Sequence, residues 1–196
     1  MNLNSEEKCF IYAWLKSLLS HELTACQLTS YQTGEFDSLF DFLSEQGFEE
    51  SIKQIRSELL QLKQIPLAHL ELAADFAQLF LLHGNSSALP YASAYLDEHT
   101  MASHLVFMDN LLDEFHLQLN CQMHEPSDHL AVHLELLIQL EKNDETNRIF
   151  DFIHNYCLIW LKPFNQKVQG IQTKTKFYQK ITELLVNILI GQNTSV

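Results

Sequence analysis

The sequence predicts an all-α fold, and three observations carry that prediction. Only five Gly and four Pro occur in 196 residues, too few punctuating residues for a turn-rich β protein. Apolar residues recur at spacings of three and four in segment after segment, which places them on one face of a helix. No run reads convincingly as a strand, and no internal repeat is visible. With 46% apolar residues the chain has the material for a core, and its length suits one large domain or two small ones.

Taken in order, Phe10, Ile11, Trp14, Leu15, Leu18 and Leu19 mark a first helix from about Ser5 to Leu23, with Glu6 and Glu7 at the dipole-favoured end. Thr29 to Glu35, containing Gly34, reads as a connection. A short second helix through Phe36, Leu39, Phe40 and Leu43 ends near Gly47, and a third runs from Glu49 to Leu62. Pro66 opens a fourth helix at the position proline favours. That helix is apolar nearly all round, and Glu71, Asp75 and Gln78 form its single polar stripe, which reads as a solvated edge rather than an acid/base pair.

A loop at His83 to Ser87 leads to Pro90, Tyr91, Ser93, Tyr95 and Leu96. Thr100 to Leu119 is the next helix, and Asn120 to Ser127 breaks it. Leu130, Leu134, Leu137 and Ile138 mark another. Asp144 and Thr146 introduce a helix through Ile149, Phe152, Ile153, Tyr156, Ile159 and Trp160, which Pro163 is expected to end. Gly170 and Thr173 precede a last helix through Tyr178, Ile181, Leu184, Leu185 and Ile188. The count is about nine helices, arranged as an N-terminal block (1–120), a hinge (121–127) and a smaller C-terminal block (128–196).

Charge narrows the function. The net charge is -13, and residues 1–123 hold 17 acidic and 5 basic residues against 8 and 7 in residues 124–196. Such a field repels phosphate backbones and anionic membrane surfaces and favours cationic partners, so neither nucleic-acid binding nor stable membrane association is expected. Solubility alone would also account for the acidic residues. Cys9, Cys26, Cys121 and Cys157 form no C-x-x-C pair and read as buried thiols in a reducing, cytoplasmic compartment. Met1 to Lys8 lacks the pattern of a secretory leader, and residues 66–82 are too often interrupted by polar groups to span a membrane. Walker-type, dinucleotide-binding and nucleophile-elbow motifs are absent, so any nucleotide binding is expected to be weak and to lack a signature.

Chemistry concentrates between His124 and His133, which hold three histidines, two carboxylates and Pro126. As backbone, the stretch reads as a helix start. As a metal site, His129 and His133 share a helical face and could act with His124 and Asp128, which is the basis of one functional reading, a metal-dependent hydrolase. The spacing argues against it, because position 128 is Asp where a helical zinc-protease motif needs a second His, and Pro126 interrupts that helix.

Glu125-Pro126-Ser127-Asp128-His129 resembles the E-P-x-D-H signature of the TorD-type redox-enzyme maturation chaperones. Leu79 and Phe80 near the end of a buried helix, then Pro90, Ser93 and Tyr95, resemble a second pattern of that family, although the loop carries His83-Gly84-Asn85 where members often have Gly-Pro. The resemblance covers most of the chain. It implies an all-α cytoplasmic chaperone, not an enzyme, dedicated to a molybdoenzyme and most closely to the trimethylamine-N-oxide reductase system. Its partners would be the apoenzyme and its twin-arginine signal peptide, held before cofactor insertion and export. The same resemblance points to a domain-swapped homodimer, with Glu125, Pro126, Asp128 and His129 at the hinge or partner-binding site. No resident metal or cofactor is expected.

Overall fold

The computed structural model describes residues 3–82, 86–117, 126–143 and 145–192. Its helices are α1 (Ser5–Ser20), α2 (Ala25–Thr33), α3 (Asp37–Leu43), α4 (Glu49–Leu62), α5 (Ala68–Phe76), α6 (Glu98–Glu114), α7 (Leu130–Lys142), α8 (Thr146–Phe152), α9 (Leu158–Gly170) and α10 (Phe177–Gly191). The class is all-α, as the sequence predicts. Among the described residues no strand forms, and the one isolated bridge pairs Tyr91 with His129. Also among them, no helix is long and apolar enough to cross a membrane.

The chain divides into two compact units. The first takes Met1–Leu3, His21–Ala88 and Asn165–Val196, and the second takes Asn4–Ser20 and Leu89–Phe164. The units are therefore interleaved along the chain, a different division from the consecutive blocks 1–120 and 128–196. Of the hinge at 121–127, residues 121–125 lie outside the described residues.

The first unit is organised by α10, whose inward positions Phe177, Tyr178, Ile181, Leu184, Leu185 and Ile188 are almost fully buried. It packs against α4 and α5. Phe76, Phe80 and Tyr178 meet edge to face, with centroids 5.1 to 6.1 Å apart, and the Leu23 amide donates to Tyr178 Oη at 2.9 Å. Such buried aromatic pairs combine large apolar area with a specific geometry. The second unit is organised by α7 lying along α1. Ile11, Trp14, Leu15 and Leu18 of α1 and Leu130, Leu134, Leu137 and Ile138 of α7 are buried, and Lys8 with Glu141 and Lys16 with Glu135 join the two helices by ion pairs.

Several local expectations are corrected. The segment read as a connection at Thr29 to Glu35 is largely helical: α2 begins behind a capping box in which Thr24 Oγ1 accepts from the Gln27 amide and the Gln27 side chain accepts from the Thr24 amide. Gly34 closes α2 with φ 90°, a left-handed position that suits glycine. Pro66 does not open α5, because Leu67 adopts φ 55° between them. α6 starts at Glu98 rather than Thr100, since Asp97 caps it by accepting from the His99 and Thr100 amides, and it ends at Glu114 rather than Leu119.

Pro163 lies inside α9 instead of ending a helix. Burial of Trp160, Leu161, Phe164 and Val168 along the same helix outweighs the one backbone hydrogen bond that proline removes. Asp75 is no solvated edge. It is buried, and its carboxylate accepts from the Lys174 amide at 3.0 Å, the Thr175 amide at 2.8 Å and Thr175 Oγ1 at 2.6 Å. Cys157 is buried as expected, but Cys9 is half-buried and Cys26 exposed, and Cys121 lies outside the described residues.

Candidate functional site

The start of α7 is built by a turn in which the His129 amide donates to the Pro126 carbonyl at 3.0 Å. Proline cannot donate a backbone hydrogen bond, so its place ahead of the helix costs nothing there. His129 is the N-cap: its backbone is extended, and its Nδ1 accepts from the Ala131 amide at 3.1 Å. An imidazole acceptor thus takes the role that Ser, Thr, Asn or Asp usually fill. Ser127, Asp128 and His129 are all buried, so the turn is an inner part of the second unit.

Three backbone-directed bonds hold this turn to the segment from Pro90 to Ser93. The Leu130 amide donates to the Pro90 carbonyl at 2.9 Å, the Ala92 amide donates to the Asp128 carbonyl at 3.0 Å, and the Ser93 amide donates to Asp128 Oδ2 at 2.9 Å. A carboxylate receiving a backbone N–H in a buried place is a charge-assisted contact. The Tyr91 and His129 rings meet edge to face with centroids 4.9 Å apart. Tyr95 stacks on Trp160 and abuts Phe164. Burial raises the Tyr95 hydroxyl pKa well above its ordinary value, and its Oη has no hydrogen-bond partner.

Thus Pro126, Asp128, His129, Pro90 and Ser93 are brought together, and Tyr95 lies three residues on from Ala92 in the same segment. Leu79 and Phe80 belong to the first unit. There the Leu79 carbonyl accepts from the Ala88 amide at 2.7 Å and from Ser87 Oγ at 2.8 Å, while Phe80 completes the aromatic cluster with Phe76 and Tyr178. Glu125 and His124 lie outside the described residues, as does the His83-Gly84-Asn85 loop.

Behind this turn sit His133, read above as a candidate metal ligand, and His104 and Trp160, which sequence reasoning did not single out as functional residues. His133, fully buried, places Nδ1 3.0 Å from the His129 carbonyl. A carbonyl only accepts, so Nδ1 carries the proton and Nε2 is an acceptor. Trp160 Nε1 donates to that Nε2 at 3.3 Å. His104 Nε2, 3.0 Å away, must donate to it as well, which leaves His104 Nδ1 a bare acceptor; that atom is buried without a partner. Burial pushes the His133 pKa down to about 3. The His104 pKa is also lowered, by burial, against a weaker opposing pull from Asp128. Both rings are neutral at pH 7.

His129 and His133 were grouped above as two ligands of one metal. His129 Nδ1 is instead committed to the helix cap, and both His133 nitrogens to the His129 carbonyl, His104 and Trp160. Among the described residues no group of three or more His, Cys, Asp or Glu side chains is placed to hold a metal ion.

What the second unit offers a partner is charge and an apolar surface. Helix α6 carries Glu98, Asp109, Asp113 and Glu114 and no Lys or Arg. Val106, on the same helix, is 62% exposed. At the end of α6 Arg148 makes a two-point contact with Glu114 at 2.8 Å and also meets Glu145.

A family model described as nitrate reductase delta subunit matches residues 43–166. A chaperone protein TorD from Histophilus somni (strain 129Pt) is 59% identical over 96% of this chain and 98% of its own length. Its namesake from Pasteurella multocida (strain Pm70) is 52% identical over 96% of both chains, and that from Actinobacillus pleuropneumoniae serotype 3 (strain JL03) 45% identical over 95% and 94%. The chain belongs to the TorD family of chaperones. It is accordingly a chaperone and not an enzyme, and the hydrolase reading is set aside.

Proposed function

We propose that this protein is a dedicated cytoplasmic chaperone of a molybdoenzyme, trimethylamine-N-oxide reductase, holding the apoenzyme ready for cofactor insertion and shielding its twin-arginine signal peptide. The observation that carries the reading is the near full-length similarity to TorD chaperones, in a chain whose E-P-x-D-H turn is bonded onto the Pro90–Ser93 segment. A twin-arginine peptide joins guanidinium groups to an apolar stretch, so its receptor needs carboxylates beside apolar surface. The second unit has both, in α6 and in the exposed side chains of Val106, Phe150 and Ile159.

Isothermal calorimetry with the reductase signal peptide and a twin-lysine variant tests this. The expected result is binding of the arginine peptide and weaker binding of the lysine one, because lysine cannot make the bidentate contact. No heat with either peptide, together with no capture of the apoenzyme, overturns the reading.

A further inference from the structure

We propose that His104, His133 and Trp160 form a proton-operated latch on the turn that starts α7. In the closed state His133 Nδ1–H holds the His129 carbonyl, while its Nε2 takes the Trp160 and His104 donors. His129 is the cap of α7 and adjoins Asp128, so the latch grips the carbonyl between the cap and the helix.

This arrangement has room for two protons on the pair and no more: one on His133 Nδ1, one on His104 Nε2. A further proton on His133 would have to occupy Nε2, where two donors already point. A further proton on His104 would sit on Nδ1, a buried atom with nothing to accept it. Either addition breaks the pair apart or strands a charge, and a stranded buried charge is costly. Burial accordingly depresses the basicity of both rings in the closed state. In an opened turn both imidazoles face water and regain an ordinary affinity near pH 6.5.

Among the described residues, the other groups around the pair supply little compensating charge. From α6 comes His104 itself. From α7 comes His129, which opposes protonation of His133; the carboxylates of that helix, Glu135 and Glu141, are paired with Lys16 and Lys8 of α1. From the segment joining α8 to α9 comes Tyr156, its ring 5.7 Å from His104, with burial and Asp151 raising its pKa. α8 and α9 add Phe152 and Trp160, and Tyr95 stacks behind Trp160. Among the described residues Asp128 is the carboxylate that favours a charged His104, and its Oδ2 is already bonded to the Ser93 amide. Opening therefore takes up two protons, one per ring of the pair, with a third available to His129 once its Nδ1 releases the Ala131 amide, and acid favours the open turn.

Hydrogen exchange read by mass spectrometry on the full chain, corrected for intrinsic exchange, tests the latch between pH 7.5 and 5. Protection of the amides from Ala131 to Leu134 should fall below pH 6.5, the pair contributing a slope of up to 100-fold per pH unit, tenfold for each proton. Amides of α9 and α10 should keep their protection over the same range. His104→Gln keeps a donor where Nε2–H stood and should take a factor of ten per pH unit from that slope. His133→Asn keeps a donor where Nδ1–H stood, and the double variant should keep no more than the slope that His129 alone supplies. Histidine proton shifts in NMR spectra of the unmodified protein give a reading that depends on no variant folding: the two rings should titrate together with opening. Flat protection in the parent chain, an unchanged slope in His104→Gln, or simultaneous loss throughout α9 and α10 overturns the proposal.

Discussion

Asp75 is the residue whose reading changed most between sequence and structure. On the helical wheel it falls in line with Glu71 and Gln78, and a solvated stripe is the economical reading. In the fold it receives three hydrogen bonds from Lys174 and Thr175, the residues that lead into α10. Asp75→Ala leaves those donors buried without an acceptor, so urea denaturation should show a loss of about 3 kcal/mol, against less than ~1 kcal/mol for Gln78→Ala on the same stripe. Asp128 makes a related contact with a different consequence. Asp128→Ala removes the acceptor for the Ser93 amide and should cost about 1 to 2 kcal/mol. If the turn also meets the partner, reductase maturation in cells falls further than that loss explains, and His129→Ala behaves alike. Activity that simply follows melting temperature across both variants would reduce the turn to a helix cap.

At the scale of elements, the errors share a cause. Helix α2 has few strongly apolar positions, Leu28 and Tyr31 being its buried ones, so periodicity passes over it. Its signal is local, in the Thr24-x-x-Gln27 box. Thr24→Ala should lower stability by about 1 kcal/mol and raise exchange at the amides that open α2, measurable by chemical denaturation. Pro163 misled in the opposite direction: proline is a sound terminator on local grounds, yet the helix continues because its apolar face, Trp160, Leu161, Phe164 and Val168, is buried. The π-helical turn at Ile153–Cys157, which links α8 to α9, has no counterpart in a pattern that assumes 3.6 residues per turn.

For the molecule as a whole, charge is the property most directly inherited from composition. A net charge of -13 predicts that association with a cationic segment weakens with salt. Between about 50 and 500 mM salt the association rate should fall several-fold, with a smaller change in dissociation, since screening acts mainly on encounter. Stopped-flow mixing with a labelled signal peptide would check this. A rate indifferent to salt would mean that apolar burial alone drives capture.

The helical class, most helix positions and the residues of the E-P-x-D-H turn were legible in the sequence, because each depends on neighbours within a few positions: spacing on one face, proline at a helix start, a recurrent five-residue pattern. Interleaving of the two units was not legible, since α1 meets α7 through side chains about 120 residues apart in the chain and local patterns carry no record of such pairings. Nor was the role of His133. Its sequence neighbours made it one more histidine in a cluster, whereas its chemistry is set by His104 and Trp160, 29 and 27 positions away. The sequence by itself determined which elements form and which turn concentrates polar groups; tertiary structure alone decided which of those groups are buried, and burial is what lowers the basicity of His133.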